Sequence, residues 1–255
     1  MVLLLVVDLD PDLAALRPLG GFFALRTVLR GAGAPHATLP TLAATYANRT
    51  SDVYGNSLTF RVDKVADSLR APEARIAASV AHQALAARLW SATLGCAVLY
   101  GRIPDLDPRL VRWNPGAGAP DDLWLTEVRP LPGDAATVAE VVLDGHLLPL
   151  TAALRASYRV AEGLLWGNAA SALAGGAREL DRWARAHGRT EAGAKARTLA
   201  AELLEHPLLA ATGTLAGTAF RRRSCCLYYR VPGGGVCGDC CFTRPPRSSP
   251  HAASG

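Results

Sequence analysis

Five of the chain's six cysteines fall within one short C-terminal stretch, as Cys225-Cys226, ten residues, Cys237, two residues and Cys240, with Cys241 immediately after. Four thiolates this close together are what a tetrahedral metal ion or an iron–sulfur cluster requires. That requirement restricts the fold more than any other feature of the chain. Cys237-Gly238-Asp239-Cys240 is predicted to be a tight turn that brings two sulfurs to one centre, with Gly238 free to take a positive φ. Cys225 and Cys226 are adjacent, and neighbouring side chains of an extended strand point to opposite faces. Both can serve one centre only if the backbone bends locally or the cluster nests between them. Pro232-Gly233-Gly234-Gly235 is turn chemistry that allows the intervening ten residues to return on themselves.

The pattern Cys-Cys-x10-Cys-x2-Cys resembles the C-terminal motif of the FhuF-type ferric-siderophore reductases, whose family binds a [2Fe–2S] cluster. Cys225, Cys226, Cys237 and Cys240 fall on that family's ligand positions, the run Arg222-Arg223-Ser224 before them is also similar, and Cys241 is an additional thiol. Further back, Leu165-Trp166-Gly167-Asn168-Ala169-Ala170 resembles, more weakly, a helical segment common in these proteins. The resemblance implies a ferric siderophore of the hydroxamate type as substrate. In the absence of any nucleotide signature, a ferredoxin- or flavodoxin-like protein is the expected electron donor.

Charge is concentrated in the same stretch. Residues 221–247 hold six arginines (Arg221, Arg222, Arg223, Arg230, Arg244 and Arg247) against one acid, Asp239, while the rest of the chain balances at twenty-one basic and twenty-one acidic residues. A basic patch can mark nucleic-acid binding, but no DNA- or RNA-binding motif accompanies this one and no nucleic-acid partner is expected. The arginines are expected to offset a cluster's negative charge or to form a solvated face for an acidic donor. The apolar run Val2–Val7 has no basic region before it and no cleavage site after it, and Ile76–Tyr100 is interrupted by His82, Gln83 and Arg88. These features predict neither an export signal nor a transmembrane segment. They point to the cytoplasm, where clustered cysteines bind metal more often than they form disulfides.

The fold expectation is α+β: a mainly helical body with a small β-sheet and a C-terminal iron–sulfur module. Residues 1–219 would form the siderophore-binding body, 220–242 the cluster module and 243–255 a disordered tail. Helical spacing runs from Pro11 to Arg30, with Gly20-Gly21 as a breaker, and Asp8–Asp12 reads as a helix-capping cluster, since the glycine a calcium loop needs is Leu13 here. A helix is expected over Leu39–Ala47 and a strand over Ser57–Val62. Ile76–Leu99 is expected to be the central core helix, with Cys96 buried in it. Short strands are expected at Leu110–Trp113, Leu123–Val128 and Val138–Leu143. Helix returns over Leu147–His187, with kinks or breaks at Gly167 and Gly175-Gly176, and over Glu191–Glu205, with one more short helix before Phe220.

Little else carries chemistry. The six histidines are scattered, and no Walker loop, G-x-G-x-x-G or G-x-S-x-G motif is present. Arg155, Arg159 and Trp166, at steps of four and seven, could line a pocket if they shared one helix; otherwise the tryptophan is core and the arginines are solvated. The functional reading is an oxidoreductase, a ferric-siderophore reductase that passes single electrons from a [2Fe–2S] cluster to chelated Fe(III). Its competitor is a binding module whose four cysteines hold a structural zinc.

Overall fold

The structure, a computed structural model, describes residues 13, 16–28 and 36–246. The apolar run Val2–Val7, the acidic cluster Asp8–Asp12 and the tail beyond residue 246 lie outside the described residues. Helices dominate and the strands are short, in agreement with the α+β expectation.

The core is organised around one long helix. Helix α1 (Leu42–Tyr46) is capped by Thr41, whose side chain accepts from the Ala44 amide, and a small hairpin of β2 (Thr50–Ser51) and β3 (Gly55–Asn56) leads into α2 (Ser57–Leu69). Ser57–Val62 is therefore helix and not strand. The Asn56 carboxamide accepts from the Thr59 amide and starts the helix, while Leu58 and Val62, four apart, are buried on one face. Next, α3 (Ala74–Tyr100) ends at Gly101 with φ 68° and is buried on nearly every side, Cys96 included, as the central helix must be.

The residues between α3 and the following helices build the sheet. β1 (Arg26–Thr27) runs parallel to β6 (Leu123–Leu125), which pairs antiparallel with β5 (Val111–Trp113), and Val111 stands opposite Leu125. β4 (Arg102–Pro104) pairs with β7 (Pro130–Pro132). Two of the three expected strands are present. The third, Val138–Leu143, is helical: Asp134 caps α4 (Ala135–Ala139), which continues through a π-helical stretch, Glu140–Leu147, into α5 (Leu148–Tyr158). Among the described residues this composite, Ala135–Tyr158, is the one helix long and apolar enough to cross a membrane, and 56% of its most apolar window is buried in the protein. The N-terminal helix expected over Pro11–Arg30 does not extend past Gly20. A 3-10 turn at Arg17–Leu19 gives way to turns and then to β1.

Arg159, in the left-handed region at φ 49°, breaks the chain between α5 and α6 (Glu162–Ala186). Arg155, Arg159 and Trp166 therefore do not share a helix. Trp166 is buried and Arg155 pairs with Glu162 at the surface, so these three residues form no pocket. No break occurs at Gly167 or Gly175-Gly176. The glycines serve close approach instead: a Cβ on Gly176 would lie 3.4 Å from Ser91 and Leu94 of α3, against which α6 packs most extensively. After α7 (Thr190–Leu204), Pro207 occupies the first position of a one-turn helix, α8 (Pro207–Ala210). The segment before Phe220 is then a hairpin, β8 (Gly213–Ala216) with β9 (Ala219–Arg222), and not a helix. Gly213 has to be glycine, because a Cβ there would lie 2.3 Å from the Phe220 ring.

Candidate metal centre

The hairpin feeds directly into the cysteine segment and determines which arginine faces it. Side chains alternate along β9, so Phe220 and Arg222 turn inward and Arg221 outward. The Arg222 amide donates to the Asp239 carbonyl (3.0 Å) and the Arg223 amide to the Thr212 carbonyl (2.8 Å), which ties both ends of the segment to the hairpin. Next come the adjacent cysteines. Leu227 has φ 69° immediately after Cys226, so the chain turns sharply as it leaves the cysteine pair. Positive φ is found here and at Gly233, not at Gly238. Gly234 is packed so closely that a Cβ would lie 2.5 Å from the Tyr228 carbonyl oxygen.

The thiols come together in contacting pairs, Cys225 with Cys226, Cys226 with Cys237, and Cys240 with Cys241, and the charges of Cys240 and Cys241 reach Cys225. Cys226 is buried and the other four are half-buried. Two backbone amides donate to sulfur, Leu227 to Cys225 Sγ (3.3 Å) and Phe242 to Cys240 Sγ (3.4 Å). As free thiols they share protons. The neighbouring Cys226 thiol lowers the pKa of Cys225, hydrogen bonding with Cys225 raises that of Cys226, and hydrogen bonding with Cys226 followed by burial raises that of Cys237. A metal displaces those protons, since the thiolate is the ligand. As placed, no three His, Cys, Asp or Glu side chains among the described residues surround a single point closely enough for one metal ion. Four thiolates can serve either a two-iron cluster or one tetrahedral ion.

A polar network anchors the segment to the helical body. Ser79 Oγ on α3 donates to the Cys226 carbonyl (2.8 Å), and Asn168 on α6 donates through its Nδ2 to both Ser79 O (2.9 Å) and Ser79 Oγ (3.0 Å). Asp239, buried inside the Cys237–Cys240 turn, accepts from Ser171 Oγ at 2.7 Å and from Arg178 at 3.1 Å. Ser224 Oγ donates to the Gly163 carbonyl (3.0 Å), and a Cβ on Gly167 would lie 2.3 Å from that hydroxyl oxygen. Arg230 pairs with Glu73 (2.7 Å). Ser79, Ser171 and Arg178 gave no signal in the sequence. Gly167 and Asn168 did, as the stretch resembling a family segment, and they sit directly beneath Arg222 and Ser224.

Arg222 tests whether the site suits an anionic group. Its side chain is 2% exposed and donates to Asn168 Oδ1 and to the Leu164 carbonyl (3.3 Å), yet its Nε is buried with no partner and no ion pair among the described residues supplies it with a carboxylate. Its charge acts on Cys226, Cys237 and Cys241, favouring their thiolates. A buried cation without a counter-ion is costly, and a four-thiolate cluster with a charge of about −2 would compensate it. The residues fit. The expectation of a solvated basic face holds for Arg221 and Arg223, both exposed, and fails for Arg222, which the strand alternation turns inward.

Comparison with known families agrees with this geometry. Residues 222–242 match the family model described as the FhuF 2Fe-2S C-terminal domain, which points to a [2Fe–2S] cluster as the cofactor of this segment. No curated protein matches the chain.

Proposed function

We propose that this protein is a ferric-siderophore reductase of the cytoplasm, with Cys225, Cys226, Cys237 and Cys240 as the ligands of a [2Fe–2S] cluster and Cys241 as a neighbouring spare thiol. The observation that carries the reading is the buried, unpaired Arg222 cation facing a bent four-cysteine segment that matches an iron–sulfur family model. When bound, the cluster supplies one electron at a time at a potential set by its charge and surroundings.

The chain's own residues set those surroundings. Arg222 opposes the added negative charge, and the Leu227 and Phe242 amides stabilise the Cys225 and Cys240 sulfurs. The Ser79–Asn168 and Ser171–Asp239–Arg178 bonds hold the two halves of the segment in register. Exposed Arg221 and Arg223 present positive charge to an acidic ferredoxin- or flavodoxin-like donor. The substrate is a ferric siderophore, of the hydroxamate type that the motif's resemblance implies. Its hard oxygen ligands suit Fe(III) better than Fe(II), so one electron loosens the metal.

The test is stopped-flow spectroscopy of chemically reduced protein mixed anaerobically with a ferric trihydroxamate and a ferrous trap. The reading expects reoxidation of the protein with one Fe(II) trapped per electron. If no hydroxamate, catecholate or citrate chelate reoxidises it, the reductase assignment falls and electron carriage or a structural metal survives.

A further inference from the structure

A cleft of about 490 Å³ adjoins the Cys237–Asp239 turn. Its other walls are the Leu19–Phe23 loop, the Gln83–Ala87–Ser91 face of α3 and the Ser171–Glu179 part of α6. That volume is in the range of small-ligand sites. We infer that this cleft holds the ferric chelate during reduction, with Gly175 and Ala87 keeping the space clear and Cys237 as the cluster ligand exposed to it. The inference rests on the reductase reading above.

Three observations support it. First, glycine is a poor helix former, and α6 carries two in succession at its middle. Packing against α3 explains Gly176, but a Cβ on Gly175 would meet nothing nearer than Arg178 Nη2 at 3.9 Å. What Gly175 leaves open is part of the cleft. Second, the loop wall is held firmly. Buried Arg88 bonds Asp122 through Nε (2.8 Å) and donates to the carbonyls of Gly21 (3.2 Å), Phe22 and Ala24 (2.7 Å), so Phe22 lines the cleft with its ring half exposed. Such a wall is formed before a ligand arrives. Third, the charges lining the cleft are matched, Arg178 with Asp239 and Glu179 with Arg182. The lining therefore suits a chelate of low net charge and offers no excess of positive charge to a polyanion.

The electron count closes with one donor and one acceptor. Fe(III) of the chelate takes one electron and becomes Fe(II), the reduced cluster is left oxidised by that electron, and no bond to the protein forms or breaks.

The test uses cluster-loaded protein and the gallium(III) complex of a trihydroxamate, which has the shape and charge of the ferric complex but cannot be reduced. Binding is measured by titration calorimetry, and reoxidation by the ferric complex is followed alongside. Gly175→Leu and Ala87→Leu, which fill the cleft from two walls, should each weaken gallium-chelate binding at least tenfold and raise the half-saturating ferric chelate concentration in step. Their cluster spectra and their reoxidation by ferricyanide should stay at the wild-type level. Ala186→Leu, at an exposed position of the same helix, should bind as wild type does. Wild-type affinity in both cleft variants, or reoxidation of wild type that rises linearly without saturation, overturns the site and leaves the reductase reading standing. A wild-type protein that neither binds the gallium complex nor is reoxidised by any ferric chelate overturns both.

Discussion

Replacing Arg222 by leucine removes a buried positive charge from beside the thiols and takes a donor from Asn168 Oδ1, the Leu164 carbonyl and Gln83 Oε1. Reduction adds one negative charge to the cluster. For a separation taken as on the order of 7 Å and an effective dielectric of ~20, a cation favours that charge by roughly 2.4 kcal/mol, which is about 100 mV for a one-electron couple. The Arg222→Leu midpoint potential should therefore lie roughly 50–150 mV below wild type. A buried pair is poorly screened, so the shift should persist from low to high salt. Arg222→Lys, which keeps the charge but gives up the planar fork, should recover most of it. In cluster-free protein the same change should affect stability less than in loaded protein. There the three abandoned acceptors, on Asn168, Leu164 and Gln83, cost about 1–3 kcal/mol for each that is left buried, offset by no longer burying an uncompensated cation. The assay is a spectroelectrochemical titration of anaerobic protein, with Arg223→Gln as the exposed control. Equal potentials in wild type and Arg222→Leu with intact cluster spectra, or a shift that salt abolishes, would refute the reasoning.

Among the ligands, Cys225→Ser, Cys226→Ser and Cys237→Ser should each lose most of the bound iron, Cys241→Ser should keep it, and Cys240→Ser should retain part by recruiting Cys241; iron content and visible absorption of each variant check this. The rate of reduction by an acidic donor protein should fall steeply with salt in wild type and only shallowly in Arg221→Gln/Arg223→Gln, since both arginines are exposed; equal salt dependence would remove them from the docking surface. His146 is buried, with its Nε2 on the Leu106 carbonyl (2.6 Å) and its Nδ1 on the Tyr46 hydroxyl (2.9 Å), and burial lowers its pKa from 6.5 to about 4. The unfolded chain therefore takes up this proton first as pH falls. Stability should be independent of this group above 6.5 and lost at up to about 1.4 kcal/mol per pH unit from there toward 4. Urea titrations across that range, with His146→Gln lacking this component, measure it.

The cysteine segment was legible because its spacing is a covalent constraint, and the chain turns back within Pro232–Gly235, where Gly233 takes a positive φ. The long core helix α3 was legible because apolar residues dominate it over more than six turns, with no proline and few charged residues to interrupt them. The failures were of two kinds. Ser57–Val62 and Val138–Leu143 are β-prone in composition but follow Asn56 and Asp134, and a cap that satisfies a first-turn amide outweighs a weak strand preference. A helical glycine signals a break only where nothing packs against it, and the sequence does not show what lies across from it. Gly176 meets α3, Gly167 meets Ser224, and only Gly175 faces open space. The roles of the three consecutive arginines likewise depend on the register of the β8–β9 hairpin, which local composition does not reveal.

A [2Fe–2S] cluster and a structural zinc in this segment differ in metal, sulfide and colour. The most direct measurement is the iron, acid-labile sulfide and zinc content of protein purified without oxygen, read together with its visible spectrum before and after reduction. The account predicts red-brown protein with iron and sulfide near two each per chain, bleached by one electron. Colourless protein carrying one zinc and no sulfide would contradict it.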